Sequence, residues 1–174
     1  MARVVEIAPT SICCPEIADV TQYVIEKGSV DEAIRSIQDT YKNLKFFLDV
    51  VTQRIETLNV KIGETETTLK YVKLLEEKTN DEVKTKFEIG NGLYLPVTIS
   101  QPKTVNLWVG ANVMMEYSFE EAEKTLSDNI AQSKDRVEKL KIDTTHLTTE
   151  IGKMEKLITD IVDAGIALEK KPRN

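Results

Sequence analysis

VDEAIRSIQDTYKNLKFFLDVVTQRIETLNVKIGETETTLKYVKLLEEKTNDEV, residues 30–83, places apolar side chains at alternating steps of three and four. Val30, Ile34, Ile37, Tyr41, Leu44, Leu48, Val51, Ile55, Leu58, Ile62, Leu69, Val72 and Val83 form the stripe, interrupted at Thr65, Glu76 and Thr79. A repeat of this kind, held over several heptads, is the signature of a coiled-coil seam. A second stripe follows in residues 119–168: Ile130, Val137, Leu140, Leu147, Ile151, Met154, Ile158, Ile161 and Leu168, interrupted at Ser133, Thr144 and Gly165. At the helical rise, each helix spans roughly 75–80 Å. A helix that long with one narrow apolar stripe cannot bury it alone, and the chain supplies a partner of equal length. The expected fold is therefore mainly α: a long antiparallel coiled-coil hairpin with two small β-hairpins at its closed end.

Helix-start signals support both stretches. Ser29-Val30-Asp31-Glu32 and Ser118-Phe119-Glu120-Glu121 each read as a capping box, in which the serine hydroxyl serves an orphan N–H and the glutamate reaches back. Upstream, Ile17, Val20 and Val24 fall on one side of a short helix that Gly28 ends. The second long helix is expected to stop near Lys170-Lys171-Pro172, since proline cannot continue it. The expected organisation is a flexible tail over 1–14, a short helix over 15–28, a first coiled-coil helix over 29–84, two β-hairpins over 85–118 and a second coiled-coil helix over 119–171.

Residues 85–118 hold only four charges, Lys86, Glu88, Lys103 and Glu116. Phe87-Glu88-Ile89 alternates, Asn91-Gly92 is a hairpin turn signal, and Leu93 to Ile99 returns. Val105 to Val109 and Val113 to Tyr117 make a second pair around Gly110-Ala111-Asn112, where Gly110 is expected to take positive φ. Two hairpins alone cannot close a core, and their edges aggregate unless paired. The block is accordingly expected to be an oligomerisation element. Leu93, Leu95, Val97, Ile99, Val105, Leu107, Trp108, Val109, Gly110, Val113 and Met115 are its expected contact residues, with Trp108 packed inside the β-structure.

If Val83 faces Phe119, the seams align so that Val72 meets Ile130, Leu48 meets Met154 and Ile34 meets Leu168. Gly165 then falls opposite Ile37, beside the Tyr41 ring.

The charge pattern excludes several function classes. Of 174 residues 30% are charged, the net charge is −6, and the signs interleave along both helices. That describes solvated helical faces, and no basic stripe points to nucleic acid. No apolar run is long enough for a membrane span, and no basic-then-apolar start suggests a secretory leader. The two cysteines are adjacent, Cys13 and Cys14, and fit neither a zinc pattern nor C-x-x-C. His146 is the single histidine, so neither a histidine metal site nor a triad can be assembled. Gly90-Asn91-Gly92 lacks the helix and the Lys-Ser/Thr of a phosphate loop and reads as a turn. No catalytic residue, metal or cofactor is expected; the protein is read as a non-enzyme.

Long helix, β-hairpins, long helix resembles prefoldin. LWVGANVMMEYSFEEAEKTL, residues 107–126, makes the resemblance specific: it is similar to the α-class pattern of strand, Gly, turn, strand ending in Glu, and helix opening with Glu-Ala. Here those are Val109-Gly110, Val113, Glu116 and Glu121-Ala122, joined by Lys86-Phe87 and Asn91-Gly92-Leu93-Tyr94. The resemblance covers residues 15–168, and four strands rather than two agree with the α class. It implies a hetero-hexamer of two α-class and four β-class prefoldin subunits, with hairpins joined in β-barrels. It further implies an ATP-independent co-chaperone that binds unfolded actin and tubulin at the coiled-coil tips and delivers them to the cytosolic group II chaperonin. The expected location is the cytoplasm, with the nucleus as a second site. At the open end of the coiled coil, Val30, Ala33, Ile34, Val162, Ile166 and Leu168 are the expected client contacts. A coiled-coil adaptor holding one folded cytoskeletal or regulatory partner is the alternative from another class.

Overall fold

The computed structural model describes residues 13–78, 82–110 and 112–169. The expectations for residues 1–12, for Thr79, for Ala111 and for the helix stop at 170–172 lie outside the described residues. The element order is α1 (Val20–Lys27), α2 (Val30–Glu77), β1 (Glu82–Gly90), β2 (Leu93–Ser100), β3 (Thr104–Gly110), β4 (Val113–Ser118) and α3 (Phe119–Glu169). The protein is mainly helical, with two long helices and two antiparallel β-hairpins, as the periodicity predicts. It divides into two compact units, Met1–Glu56 with Glu138–Asn174, and Thr57–Val137.

All three helix starts are capped by side chains. Asp19 Oδ1 accepts from Gln22 N–H at 3.1 Å, so α1 begins at Val20, later than the Pro15 start the sequence suggests. Ser29 Oγ accepts from Glu32 N–H at 3.1 Å. The cap of α3 is reciprocal: Glu121 N–H donates to Ser118 Oγ at 3.3 Å, and Ser118 N–H and Oγ–H donate to Glu121 Oε2 at 3.2 and 2.9 Å. Those hydrogen bonds hold the Glu121 carboxyl below its ordinary range.

In the first unit, Ala33, Ile37, Leu44 and Val51 of α2 interlock with Leu147, Ile151, Met154, Leu157 and Ile161 of α3, and Val24 of α1 joins them. Leu44, Leu147, Met154 and Ile161 are fully enclosed; each such side chain contributes about 1.5–3 kcal/mol. In the second unit the core is Val72 of α2 with Phe119, Ala122 and Leu126 of α3. The polar interruptions Thr65 and Thr144 satisfy themselves by donating to the carbonyls of Lys61 and Leu140 at 2.8 and 2.9 Å.

The helix segments run antiparallel in both units, but in a register displaced from the expected one. Lys73 pairs with Glu123 at 2.6 Å and Lys134 with Glu66 at 2.7 Å in the second unit. In the first, Tyr41 Oη donates to Glu155 Oε1 at 2.9 Å and Lys45 lies 3.4 Å from the same carboxylate. These exposed ion pairs report the register more than they stabilise it. The displacement has a simple source. α2 ends at Glu77, not at 84, and Val83, placed on the seam by the sequence reading, is a β1 residue paired with Ile99. The pairs Lys73–Glu123 and Tyr41–Glu155 lie six residues from the expected facing positions, and Lys134–Glu66 and Lys45–Glu155 lie two. Gly165 consequently sits against Val30, not between Ile37 and Tyr41, and a Cβ there would run into Val30 Cγ2.

That packing separates the helical glycines. Gly165→Ala is expected to cost about 1–3 kcal/mol by overpacking a β-branched neighbour. Gly63→Ala and Gly152→Ala meet no atom within 4 Å, and each is expected to add about 0.5–1 kcal/mol through helix propensity. Chemical unfolding followed by circular dichroism distinguishes the three.

Candidate assembly and client surfaces

The second unit presents its hairpins. β1 and β2 pair Val83 with Ile99, Thr85 with Val97 and Phe87 with Leu95, which puts those six on one face. Phe87 is 64% exposed, and Leu93, Leu95 and Ile99 are exposed with it, while Val83 and Val97 are half-buried. The opposite face carries Lys84, Lys86, Glu88, Tyr94, Pro96 and Thr98. Gly92, at φ 79°, closes the turn, and its N–H donates to Glu88 Oε1 at 3.2 Å.

β3 and β4 pair Val105 with Tyr117, Leu107 with Met115 and Trp108 with Met114. Val105, Leu107 and Tyr117 pack against the Val72–Phe119–Ala122–Leu126 core. Two expected inter-subunit residues, Val105 and Leu107, therefore seat the hairpin on its own helices. Trp108 corrects another expectation: it does not pack inside the β-structure but is 66% exposed. Alternation explains both results, since docking the Val105–Leu107 face turns the Trp108–Met114 face outward. The indole rims a hollow that also takes in Lys61, Thr65 and Arg136. Val109, Val113 and Met115 are exposed as well.

Each hairpin forms a two-stranded sheet of its own, so all four strands are edges, and a large apolar area stays open. Phe87, Ile89, Tyr94 and Met114 belong to this exposed set although the sequence reading left them out. The cross-strand partnership that Asn91-Gly92 dictates was the signal that could have found Phe87 and Tyr94. Gly110 does take positive φ, 105°, with Asn112 at 62° beside it.

The first unit holds the start of α2 and the end of α3. Of the residues expected to meet clients, Val162 and Ile166, one turn apart on α3, are exposed, the latter at 45%. Ala33 is 0% exposed and is a core residue, so it drops out of any accessible surface; Val30, Ile34 and Leu168 are half-buried against the same core. α1, whose docking is not evident from the sequence, joins this core through Val24, and Val30 packs against Gly165 of α3. Between them, Val24, Ile25, Val30, Gly165 and Leu168 line a hollow of about 570 Å³, and Ile25 is exposed at its rim.

Polar chemistry in this unit centres on Glu150, which is buried. Its carboxylate accepts from Lys153 Nζ at 2.6 Å and from Cys14 N–H at 2.7 Å, and these bonds hold it below the usual carboxylate range. Burial, followed by the nearby Glu150 charge, pushes the Cys14 thiol up. Among the described residues, no group of His, Cys, Asp and Glu could hold a metal ion, and no helix is long and apolar enough to cross a membrane.

Long antiparallel helices bearing two hairpins with open apolar faces define a subunit built to be completed by others. The sequence profile described as "Prefoldin subunit" matches residues 44–162, and the chain belongs to the prefoldin family. It is similar to proteins named prefoldin subunit 3. These include the probable subunit of Dictyostelium discoideum, 34% identical over 113 residues, 65% of this chain and 57% of that protein. The probable subunit of Schizosaccharomyces pombe is 28% identical over 148 residues, 83% of this chain and 88% of that protein. The Homo sapiens protein is 27% identical over 145 residues, 78% and 74% of the two chains. The fold is that of a filamentous PFD from Methanocaldococcus jannaschii, at TM-score 0.55 and 23% identity, covering 73% of this chain and 99% of that one.

Gly110→Val is expected to disrupt the β3–β4 turn, because a β-branched residue resists φ near +105°. Loss of β signal with unchanged helical circular dichroism is the expected result.

Proposed function

We propose that this chain is an α-class, subunit-3-type component of a hetero-hexameric, ATP-independent co-chaperone made of two α-class and four β-class prefoldin subunits. The observation that carries the reading is the unsatisfied apolar face of Phe87, Leu95 and Ile99, together with the outward Trp108–Met114 pair, in a chain of this family. Such faces suit the hairpins of neighbouring subunits, whose strands supply both apolar cover and hydrogen bonds for the free edges. In the same proposal the end of the helix pair at Val162 and Ile166 binds unfolded actin and tubulin, which pass to the group II chaperonin in the cytoplasm, and in the nucleus as well. Exposed apolar groups suit unfolded segments, since such a contact requires no fixed shape; each contributes only about 1–3 kcal/mol. Capture then depends on several subunits holding one client together.

Trp108→Ala is expected to change the stability of the isolated chain by less than about 0.5 kcal/mol, as for an exposed side chain. It is expected to weaken assembly with the other subunits by about 2 kcal/mol or more. Native mass spectrometry across a dilution series reads the difference, and assembly at wild-type strength would refute the role given to this face. Val162→Ser with Ile166→Ser is expected to leave the hexamer mass unchanged and to reduce suppression of denatured-actin aggregation. Undiminished suppression would remove this helix end from the client surface.

A further inference from the structure

The first unit brings a segment of its own to the end of the helix pair that also carries Val162 and Ile166. Cys14, Ile17, Val20 and Tyr23 pack against the core containing Ala33, Ile37, Leu157 and Ile161, and Val24 is part of that core at 4% exposure. Ala33 is fully enclosed in that core, although it lies near the start of α2, where the end of a two-helix coil would ordinarily be open.

The attachment is slight and localised. Cys14 N–H is held by Glu150 at 2.7 Å, with Lys153 gripping the other oxygen of that carboxylate. Nine residues further on, the hydroxyls of Tyr23 and Ser36 share a hydrogen bond of 2.5 Å. Apart from these two pins the contact is the single apolar stripe of residues 17, 20 and 24. An eight-residue helix has no stability of its own in water, so α1 exists only while docked. Elements held by so few contacts occupy the low end of the local-unfolding scale. Gly28, at φ 81° with open space around it, joins α1 to α2 and can absorb the backbone change that release requires. Docking is also incomplete: the hollow beneath Val24 and Ile25 stays open, and Ile25 is exposed beside it.

We propose that residues 14–27 form a displaceable strap that competes with unfolded clients for the apolar end of the helix pair. Docked, the strap occupies the surface around Ala33 and Ile37; released, it uncovers that surface and adds apolar area at the end that also carries Val162 and Ile166. The proposal rests on the reading that this end captures clients. Apparent affinity then scales with the fraction of molecules in which the strap is released, so the strap sets the threshold for capture.

The test uses the complex assembled with all its partner subunits and chemically denatured actin as the client. Tyr23→Ala combined with Val24→Ser removes one pin and the central apolar contact. Amide exchange in residues 14–27 is expected to accelerate, and half-maximal suppression of aggregation to occur at a complex concentration about threefold lower or less. The converse variant pins the strap: Tyr23→Cys and Ser36→Cys, in a Cys13→Ser, Cys14→Ser background, bridged by a short bis-methanethiosulfonate reagent. Bridging is expected to weaken suppression, and reduction to restore it. Unchanged exchange in the first variant would show that these contacts do not hold the segment. Accelerated exchange without stronger suppression, or a bridge without effect, would show that the segment does not compete. Each of these results overturns the strap. The Val162→Ser, Ile166→Ser complex, run alongside, separates the two ideas: if it captures actin normally, the client-site reading has failed; if it is impaired while the strap variants behave as wild type, only the strap has.

Discussion

Every other feature of this chain depends on how two long helices, each with one narrow apolar stripe, dispose of that stripe. Burial of Leu44 and Val51 against Leu147, Ile151 and Met154, and of Val72 against Phe119 and Leu126, encloses the centre of the stripes, with Leu48, Ile55, Leu69, Leu140 and Ile158 partly buried beside it. Most of what remains on the helices is charged and solvated, although Phe46, Val60, Tyr71 and Ile142 stay exposed along them, and the docked elements pack at the ends of the stripes. Those ends are where the rest of the chain attaches. In the second unit β3 and β4 dock on Phe119 and Ala122 through Val105, Leu107 and Tyr117. In the first, α1 docks beside Ala33 and Ile161.

The two attachments differ in what they leave over. A hairpin has two faces, so seating one of them exposes Trp108 and Met114, while β1 and β2, with no docked face among these core residues, show Phe87, Leu95 and Ile99. These residues share sheets whose backbone edges are also unpaired, so apolar contact and strand pairing can be satisfied by one partner at once. A short amphipathic helix has one stripe, and docking it uses nearly all of its apolar surface; Ile25 alone among its larger apolar residues is left exposed. The hairpins are therefore surfaces that lack something, whereas the first-unit end is a surface that has been covered. That asymmetry is why the proposed assembly draws on the hairpins directly, while the proposed binding at the helix end sets clients against the chain's own segment.

Much of this was legible in the order of residues. Steps of three and four identify helices whatever surrounds them, because the helical period is a property of the backbone. Ser29 and Ser118 marked the helix starts, because a cap is a contact between near neighbours in the chain. Asn91-Gly92 and Gly110 marked the turns, because positive φ is a local demand that few residues meet. Val162 and Ile166 were recognisable as apolar residues off the stripe, and they are indeed exposed.

What required the tertiary structure was every question about which of two equivalent choices is made. The stop of α2 at Glu77 was invisible in a pattern that continues to Val83, since strand and helix both tolerate a valine there, and Gly165 sits against Val30 and not beside Tyr41. Alternation divided β3 into two faces but could not say which one turns inward, and packing on Phe119 decided it against Trp108. The core around Ala33 joins α1 to residues far along the chain, and the segment leading into α1 is held by a Cys14–Glu150 hydrogen bond across 136 positions. Local order determines what each segment can be, because backbone geometry and capping are short-range; it cannot determine which surface is left over, because that depends on what other segments have already covered.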